Sequence, residues 1–531
     1  MKPRILTLLA VILTLTTGAV AQPTTAPGAK PAATQERSTD GPPKSDDTIG
    51  GRAPVVTHHS IKIADKELAY TATAGWLPMK DETGKLHANV FFVAYTKDGA
   101  KGDPDHPPDH PPDHARPITF VFNGGPGAAA VWLHLGTAGP MRLDLAEDGQ
   151  PGPPPHKLVE NSSTWLTTTD LVFIDPVGTG YSRAATPEQA KEFYGVREDI
   201  SSIADFIRLY LTRYDRWGSP KFLAGESYGT LRAAALSEYL NDHDGIILSG
   251  IILVSSVLDF QTFQFEEGND LPYVNFLPSY AAVAWYHKKL PPELQGDLTK
   301  TLDEATRFAT GDYAAALAKG AALGDDDRKR IAEQLARYTG LSRAEIDHLD
   351  LRVPQPLFSK KLLEDQRKII GRFDGRITGL AVEPTSSEAE YDPSLSRYLG
   401  VYTSTFLRYV REDLHFESDL KYEVLSSRNW DFGPGGHGYL TVTDNLRAAM
   451  AKNPDLRVMI ASGYFDLAAP YYATTYTINH LGLPREALGR VSQKLYLGGH
   501  MMYHVKPALD GLERDVAAFI EGNNAKPQAV N

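Results

Sequence analysis

The chain has no cysteine among its 531 residues. This absence excludes disulfide bonds and a cysteine nucleophile, and a chain of this length can bury a core large enough to be stable without disulfides. The chain also has fewer basic than acidic residues: 54 Lys and Arg compared with 66 Asp and Glu, which gives a net charge of −12. An acidic protein is poorly suited to nucleic acid, so we expect no nucleic-acid partner.

Long apolar runs are scarce as well. The one at residues 5–15 follows Lys2 and Arg4 and precedes Ala19-Val20-Ala21, an arrangement that predicts a signal peptide at residues 1–21. Its removal takes away two basic residues and no acidic one, so the net charge changes from −12 to −14. No later segment has the roughly 18 apolar residues of a transmembrane helix. We therefore expect a bacterial protein that is exported to the periplasm or secreted and has no membrane span.

Two segments predict no packed structure. Residues 22–50 are rich in Pro, Ala, Thr and Gly and predict a disordered leader. Residues 103–114 repeat an Asp-His unit three times between prolines. The repeat invites the hypothesis of a metal site, but prolines hinder the convergence of ligands. We favour an exposed loop and predict no metal site.

Strand-like and helix-like segments alternate through most of the chain. Short apolar segments predict strands at residues 118–122, 171–174, 222–224 and 251–254, with helical patterns between them. This alternation predicts an α/β fold with a mostly parallel central sheet and helices on both faces. Helical patterns dominate residues 261–422, which predict a large cap inserted between two parts of the core, residues 51–260 and 423–525.

One motif names a reactive atom. Gly225-Glu226-Ser227-Tyr228-Gly229 follows the strand at 222–224 and precedes a helical pattern. This is the layout of the nucleophile elbow of an α/β-hydrolase fold, a sharp strand-to-helix turn that presents a serine hydroxyl, and glycines suit so tight a turn. The bare pattern is expected by chance on the order of 0.2 times in a chain this rich in glycine. The assignment of Ser227 therefore depends on its partners.

An acid and then a histidine should follow the serine, each on a loop after a late strand. Residues 457–461 predict such a strand and lead to Asp466, and residues 494–497 predict the last strand and lead to His500. We predict that Ser227, His500 and Asp466 form a catalytic triad. In this triad His500 takes the proton of Ser227, and Asp466 orients the imidazole and stabilises its charged form.

Three other histidines fit this order less well. His437 comes before the acid, His480 lies inside a helical pattern, and His504 comes four residues too late. A histidine without a strand-end context is most often structural. We therefore prefer His500 as the base.

Two backbone N–H groups are expected to form an oxyanion hole. The first belongs to Tyr228, the residue after the nucleophile. The second should come from the loop after an early strand, and Asn123-Gly124-Gly125-Pro126-Gly127 follows the strand at 118–122. Glycines let the backbone approach a substrate closely, so we assign Gly125 as the second donor.

These motifs resemble those of the serine carboxypeptidase family, peptidase family S10. Five motifs carry the resemblance in chain order: residues 123–127, residues 161–165 followed by 173–182, the elbow at 225–229, residues 463–466, and residues 499–501 with Pro507. The resemblance implies an exopeptidase that takes peptides as substrates, removes their C-terminal residues and needs no cofactor.

The same resemblance implies substrate-binding roles. The side chain of Asn123, the N–H of Gly124 and a protonated Glu226 would bind the terminal carboxylate of the peptide, and Met501 would line the pocket of the leaving residue. A carboxyl that faces a carboxylate must hold a proton, which predicts a raised pKa for Glu226 and activity at acid pH. The alternatives are a solvated or salt-bridged Glu226 and simple core packing of Met501.

Several positions depart from the family pattern. Thr137 stands where the family has a glutamate paired with the one beside the nucleophile, which leaves Glu226 beside a hydroxyl and predicts a weaker hold on its proton. Ala128-Ala129-Ala130, Thr230 and Tyr503 also depart from the pattern. These differences bear on substrate preference and on the pH profile, and they leave the triad intact.

Other functions stay open on the sequence alone. An aminopeptidase, an esterase or an acyltransferase could use the same fold and the same triad. A non-catalytic binding protein with a relic site is the alternative from another class, but a relic site usually lacks a member of the triad. All the triad residues and the oxyanion glycines are present here.

Overall fold

A computed structural model of the protein describes residues 52–99, 115–383 and 385–522. The predicted signal peptide, the predicted leader and the Asp-His repeat lie outside the described residues. Those three assignments stay predictions.

Strands of very different length occur in this part of the chain: β1 (Val55–Ile63), β2 (Lys66–Lys80), β3 (Leu86–Lys97), β4 (Ile118–Phe122), β5 (Met141–Leu143), β6 (Leu158–Glu160), β7 (Asp170–Ile174), β8 (Arg183–Ala184), β9 (Lys221–Glu226), β10 (Gly250–Val254), β11 (Lys368–Ile370), β12 (Thr378–Leu380), β13 (Arg457–Gly463) and β14 (Val491–Tyr496).

The α-helices of the same ranges are α1 (Val131–Leu133), α2 (Val196–Arg213), α3 (Tyr228–Asp244), α4 (Leu271–Tyr286), α5 (Leu298–Phe308), α6 (Ala314–Lys319), α7 (Asp325–Thr339), α8 (Arg343–His348), α9 (Gln355–Lys361), α10 (Pro393–Glu412), α11 (Thr443–Lys452), α12 (Tyr471–Asn479), α13 (Arg485–Leu488) and α14 (Lys506–Ile520).

The large sheet has the strand order β1-β2-β3-β7-β4-β9-β10-β13-β14, with β8 paired to β3. The first three strands run antiparallel to their neighbours, and all pairs from β7 to β14 are parallel. The predicted strands before and after the elbow thus lie side by side at the centre of one sheet.

The central strands are short and apolar because both faces of the sheet are covered. All five residues of β4 and of β10 are buried. In β9, Leu223 packs into the core that contains α2 and α3, whereas its neighbours Phe222 and Ala224 pack into the core that contains α10 and α14. The predicted α/β-hydrolase fold, a mostly parallel sheet between helices, is confirmed.

Residues 261–422 hold helices α4 to α10 and one two-stranded sheet, β11-β12. Their helical content agrees with the prediction, and the boundaries of a cap domain stay a prediction. No helix among the described residues is both long enough and apolar enough to cross a membrane.

The loops that carry the candidate site all leave the carboxyl ends of parallel strands, where open α/β sheets bind their ligands. Asn123 follows β4, Ser227 follows β9, and His500 comes four residues after β14. Asp466 comes three residues after β13, the strand that lies between β10 and β14. Residues far apart in the chain therefore meet at one edge of the sheet.

Candidate active site

Ser227 occupies a strained turn between β9 and α3. Its backbone angles are φ 57° and ψ −128°, in a region that residues other than glycine rarely adopt. The turn is too tight for side chains on either side. A Cβ on Gly225 would lie 2.1 Å from the carbonyl oxygen of Gly229, and one on Gly229 would lie 2.9 Å from the carbonyl oxygen of Phe122. The elbow predicted from the sequence therefore has a steric need for both glycines.

Thr230, one of the departures from the family pattern, braces this turn. Its hydroxyl donates to the carbonyl oxygen of Ser227 at 2.7 Å and accepts from the N–H of Val257 at 2.8 Å. Because Val257 follows β10, the side chain ties the elbow to the loop of the neighbouring strand. Its extra hydroxyl thus has a structural use.

Asp466 and His500 form a buried pair. His500 Nδ1 lies 2.8 Å from Asp466 Oδ2, and the second oxygen of Asp466 accepts from the N–H groups of Ala468 and Ala469 at 2.7 and 2.9 Å. Hydrogen bonds to both carboxylate oxygens fix the acid in place. The acid in turn sets the tautomer of His500, so that Nε2 is left as the proton acceptor.

The Nε2 atom of His500 is buried and makes no hydrogen bond to any described residue. The structure therefore brings the acid and the base together but does not close the hydrogen bond from Ser227 to His500. In sites without substrate such a bond is often long and tightens in the complex. Burial opposes the charged form of His500, but the Asp466 carboxylate and Glu226 outweigh it, and the pKa of His500 is raised.

The backbone of His500 is held in place by a residue of the segment 261–422. The backbone N–H of His500 donates to the carbonyl oxygen of Phe373 at 2.6 Å, and the centroids of the two rings lie 4.9 Å apart. On the opposite side, Ser255 donates its hydroxyl to the carbonyl oxygen of His500 at 2.6 Å. Phe373 lies between β11 and β12, so residues 261–422 contribute directly to the position of the base.

The glycine-rich loop lies against the elbow. A Cβ on Gly124 would be 2.4 Å from the N atom of Tyr228 and 2.6 Å from that of Gly229, so only glycine fits there. Tyr228 is the first residue of α3, and its N–H is one of the helix N-terminal amides that lack an intrahelical acceptor. Gly125 is exposed at the same loop. The contact between loop and helix N-terminus suits the predicted oxyanion hole, for which Gly125 and Tyr228 stay the predicted donors.

A buried arginine holds this loop in place. Arg232 on α3 donates to the carbonyl oxygen of Asn123 at 2.7 Å and binds both oxygens of Asp199 on α2 at 2.8 and 3.0 Å. All three groups are buried. No local sequence pattern predicts this network, because its members belong to three segments that are far apart in the chain.

Glu226 is the buried neighbour of the nucleophile. Its side chain is 4% exposed, and burial raises its pKa to about 7 against the opposing effects of His500, Tyr503 and Asn123. Asn123 uses its Oδ1 to accept from the N–H of Leu133 at 3.1 Å, which leaves its amide N–H₂ to donate towards Glu226. The raised pKa that we predicted for Glu226 agrees with this environment.

The hydroxyl beside Glu226 is not the one that the sequence suggested. Tyr503 donates its phenol O–H to Glu226 Oε2 at 2.6 Å, whereas the hydroxyl of Thr137 is buried and has no hydrogen-bond partner among the described residues. The ring of Tyr503 reaches this position over Gly136, where a Cβ would lie 2.3 Å from the ring. Among the described residues, Tyr503 and not Thr137 therefore supplies the hydroxyl that hydrogen-bonds Glu226.

A cleft opens beside the glycine-rich loop. Gly127, Tyr194, Arg428 and Trp430 contribute to its walls. The ring of Trp430 lies edge-on to that of Tyr228, with centroids 5.6 Å apart. The cleft therefore adjoins the residue that follows the nucleophile.

The comparisons with known proteins agree with this geometry. The family model of the serine carboxypeptidases matches residues 65–496, well over half of the chain. The chain belongs to the serine carboxypeptidase family. The assignment rests on this extended match together with the ordered motifs around the sheet edge.

Curated relatives of the chain include carboxypeptidases from yeast and plants. The chain is 30% identical over 166 residues to the pheromone-processing carboxypeptidase KEX1 of Saccharomyces cerevisiae, a match that covers 29% of this chain and 20% of the relative. It is 24% identical over 394 residues to serine carboxypeptidase-like 34 of Arabidopsis thaliana, with 69% of each protein covered. The match with KEX1 of Saccharomyces cerevisiae thus spans about a fifth of the length of that protein.

Solved structures give only distant similarity. An open-form lipase is 12% identical to the chain with a TM-score of 0.33, and the match covers 85% of this chain and 98% of the lipase. A likeness at this level does not bear on function.

The remaining residues that we singled out lie in different surroundings. Met501 directly follows His500, is 8% exposed and packs in the core beside α14, so both its pocket role and simple core packing remain compatible with its position. His504 bonds the hydroxyl of Tyr402 at 2.8 Å, and burial lowers its pKa to about 3. His437 packs against Phe260 and Phe432.

His480 follows α12 directly and its Nδ1 bonds the carbonyl oxygen of Tyr476 at 2.7 Å. It therefore lies at the end of the helix and not inside it.

Within the described ranges, no group of three or more His, Asp or Glu side chains is arranged to hold a metal ion.

Proposed function

We propose that this member of the family is a serine carboxypeptidase that releases C-terminal amino acids from peptides through an acyl-enzyme on Ser227. The observation that carries the proposal is the buried carboxyl of Glu226 next to the nucleophile, with a pKa of about 7. Below that pH the carboxyl is neutral and can donate a hydrogen bond. A neutral donor beside Asn123 is what a site for a free C-terminal carboxylate requires.

In the first half of the reaction, Ser227 Oγ attacks the carbonyl carbon of the last peptide bond while His500 Nε2 takes its proton. The N–H groups of Gly125 and Tyr228 stabilise the oxyanion, aided by the positive N-terminus of α3. His500 then donates the proton to the departing nitrogen and the C–N bond breaks. The C-terminal amino acid leaves and the rest of the peptide stays as an ester on Ser227.

In the second half, water attacks the ester carbonyl and gives its proton to His500. The ester bond breaks and Ser227 recovers its proton from His500. Asp466 keeps its hydrogen bond to Nδ1 in both halves and stabilises the imidazolium each time that it forms.

Recognition of the terminal carboxylate separates this reaction from its alternatives. An esterase or an acyltransferase could use the same triad without it. An aminopeptidase would need an ionised acid for the free amine of the substrate, and burial favours the neutral form of Glu226 below a pH of about 7. A relic site would not need the strained turn at Ser227, whose cost persists only where the surroundings support it.

Peptides are the proposed substrates. We also propose that the protein is exported to the periplasm or secreted. That part of the proposal rests on the signal-peptide pattern of residues 1–21.

The test uses an N-terminally blocked dipeptide with a free C-terminus. Ser227→Ala is expected to abolish release of the C-terminal amino acid, with a loss of turnover that approaches roughly 10⁶-fold. Ser404→Ala, on the outer part of α10, is the control and should leave release unchanged. Undiminished release by Ser227→Ala would contradict the proposal.

A further inference from the structure

The carboxyl group of Glu226 shares its buried site with a phenol. The distance from the Tyr503 oxygen to Glu226 Oε2 is 2.6 Å, and both side chains are almost fully buried. Tyr503 lies in the short 3-10 turn Met502–His504, which a single residue separates from α14. The contact therefore joins the residue beside the nucleophile to the segment that carries the base.

The position of the phenol is set by its neighbours. Its ring lies over Gly136, where a Cβ would be 2.3 Å from Cε2 of Tyr503 and 2.6 Å from the hydroxyl of Tyr402. The absence of a side chain at Gly136 thus makes room for the ring. The hydroxyl of the adjacent Thr137 makes no hydrogen bond to a described residue, so it does not compete for the phenol.

The other groups that face Glu226 are few. His500, Asp466 and Tyr402 interact with it electrostatically, and Asn123 donates to it. No lysine or arginine among the described residues forms an ion pair with it. The phenol is therefore one of two neutral donors that favour its ionised form.

We propose that Tyr503 is a positioning residue that sets the pH at which Glu226 loses its proton, and thereby the upper limit of the pH range in which the enzyme binds a free C-terminal carboxylate. This inference rests on the proposed function. Because Oε2 of Glu226 accepts a hydrogen bond from the phenol, the proton of the neutral carboxyl group is placed on Oε1. The phenol thus determines which oxygen of Glu226 can donate to the substrate.

The phenol can play this part because it holds its own proton. Burial and the neighbouring Glu226 raise the pKa of Tyr503 well above its usual value. Tyr503 therefore remains a donor throughout the working range of pH. A hydrogen bond donated to a carboxylate stabilises the ionised form, so its loss must raise the pKa of Glu226.

The experiment compares the pH dependence of kcat/KM for a blocked dipeptide and for its C-terminal methyl ester, which has no free carboxylate. In Tyr503→Phe the alkaline limb for the dipeptide is expected to move up by about one pH unit, the size of effect typical of one hydrogen bond to a charged group. The ester profile should not gain such a shift, because Glu226 has no carboxylate to bind. Tyr496→Phe is the matched control, since Tyr496 also donates to a carboxylate, that of Asp515 at 2.7 Å, and it should move neither limb.

A second variant guards against a fold defect in Tyr503→Phe. Replacement of Tyr503 by 3,5-difluorotyrosine keeps the ring and the hydroxyl but makes the phenol a stronger donor, so the dipeptide limb should move down. Opposite shifts in the two variants would support the inference. An unmoved dipeptide limb in either folded variant, or equal shifts for dipeptide and ester, would overturn it. Failure of the wild type to release the C-terminal residue would instead overturn the proposed function.

Discussion

Glu226→Gln is the most informative single substitution, and its effect is read from the pH dependence of kcat/KM. Burial raises the pKa of Glu226 from 4.5 to about 7. Its protonated fraction is then about nine-tenths at pH 6, about one-tenth at pH 8 and about one-hundredth at pH 9. If the neutral carboxyl binds the terminal carboxylate, kcat/KM for a blocked dipeptide falls about tenfold for each pH unit above 7 in the wild type.

Glutamine cannot ionise, and its amide donates at every pH. In Glu226→Gln the fall of dipeptide kcat/KM above pH 7 should therefore disappear. Below about pH 7 the carboxyl of Glu226 is already neutral, so the substitution removes no charge near His500 in that range. The acid limb of the profile should therefore stay in place for the dipeptide and for its methyl ester alike.

Initial rates with both substrates between pH 5 and pH 9 test this reasoning. Glu513→Gln is the control, because Glu513 on α14 is a half-buried glutamate whose pKa is also raised by burial. It should leave both limbs in place. An alkaline limb that persists unchanged in Glu226→Gln, or that is equally steep for the ester in the wild type, would refute the role of Glu226.

Two further substitutions test the supports of the site. Asp466→Asn should lower kcat by about 10⁴-fold with little change in thermal unfolding, because the amide favours the wrong tautomer of His500; a loss below tenfold would contradict the role of the acid. Arg232→Met should lower the free energy of unfolding in urea by about 3–5 kcal/mol, because it leaves Asp199 buried without its partner. Arg447→Met is its control, since Arg447 makes an exposed ion pair with Asp444, and equal effects of the two arginine variants would count against the buried network.

The positions of the triad could be predicted because each member follows a strand whose pattern is local. Short apolar segments predict the parallel strands β9, β13 and β14, and the carboxyl ends of parallel strands lie at the same edge of a sheet. The order of serine, acid and histidine then leaves few candidates. Asp466 and His500 accordingly form the pair that was expected, at 2.8 Å.

The surroundings of Glu226 could not be predicted in the same way. The contact with Tyr503 joins residues that are 277 positions apart, and no periodicity signals it. Thr137 and Tyr503 each look like an isolated departure from the family pattern. Only the packing of the ring over Gly136 shows that the phenol, and not the threonine hydroxyl, meets the carboxyl group.

The network around Arg232, which holds the glycine-rich loop, could not be predicted from the sequence for a similar reason. Arg232 falls in a helical pattern where a charged residue would be expected on the exposed face. In the structure it is fully buried between Asp199 and the carbonyl oxygen of Asn123. A buried ion pair depends on three-dimensional packing, which residue spacing does not encode.

The most direct test of Ser227 as the nucleophile of a carboxypeptidase is a mass-spectrometric record of which end of a peptide is shortened. The wild type should remove residues one at a time from the C-terminus of an N-acetylated peptide and should leave the C-terminally amidated form of the same peptide intact, while Ser227→Ala should shorten neither. Residues lost from the N-terminus of an unblocked peptide, or trimming of the amidated peptide at the same rate as the free acid, would contradict the account.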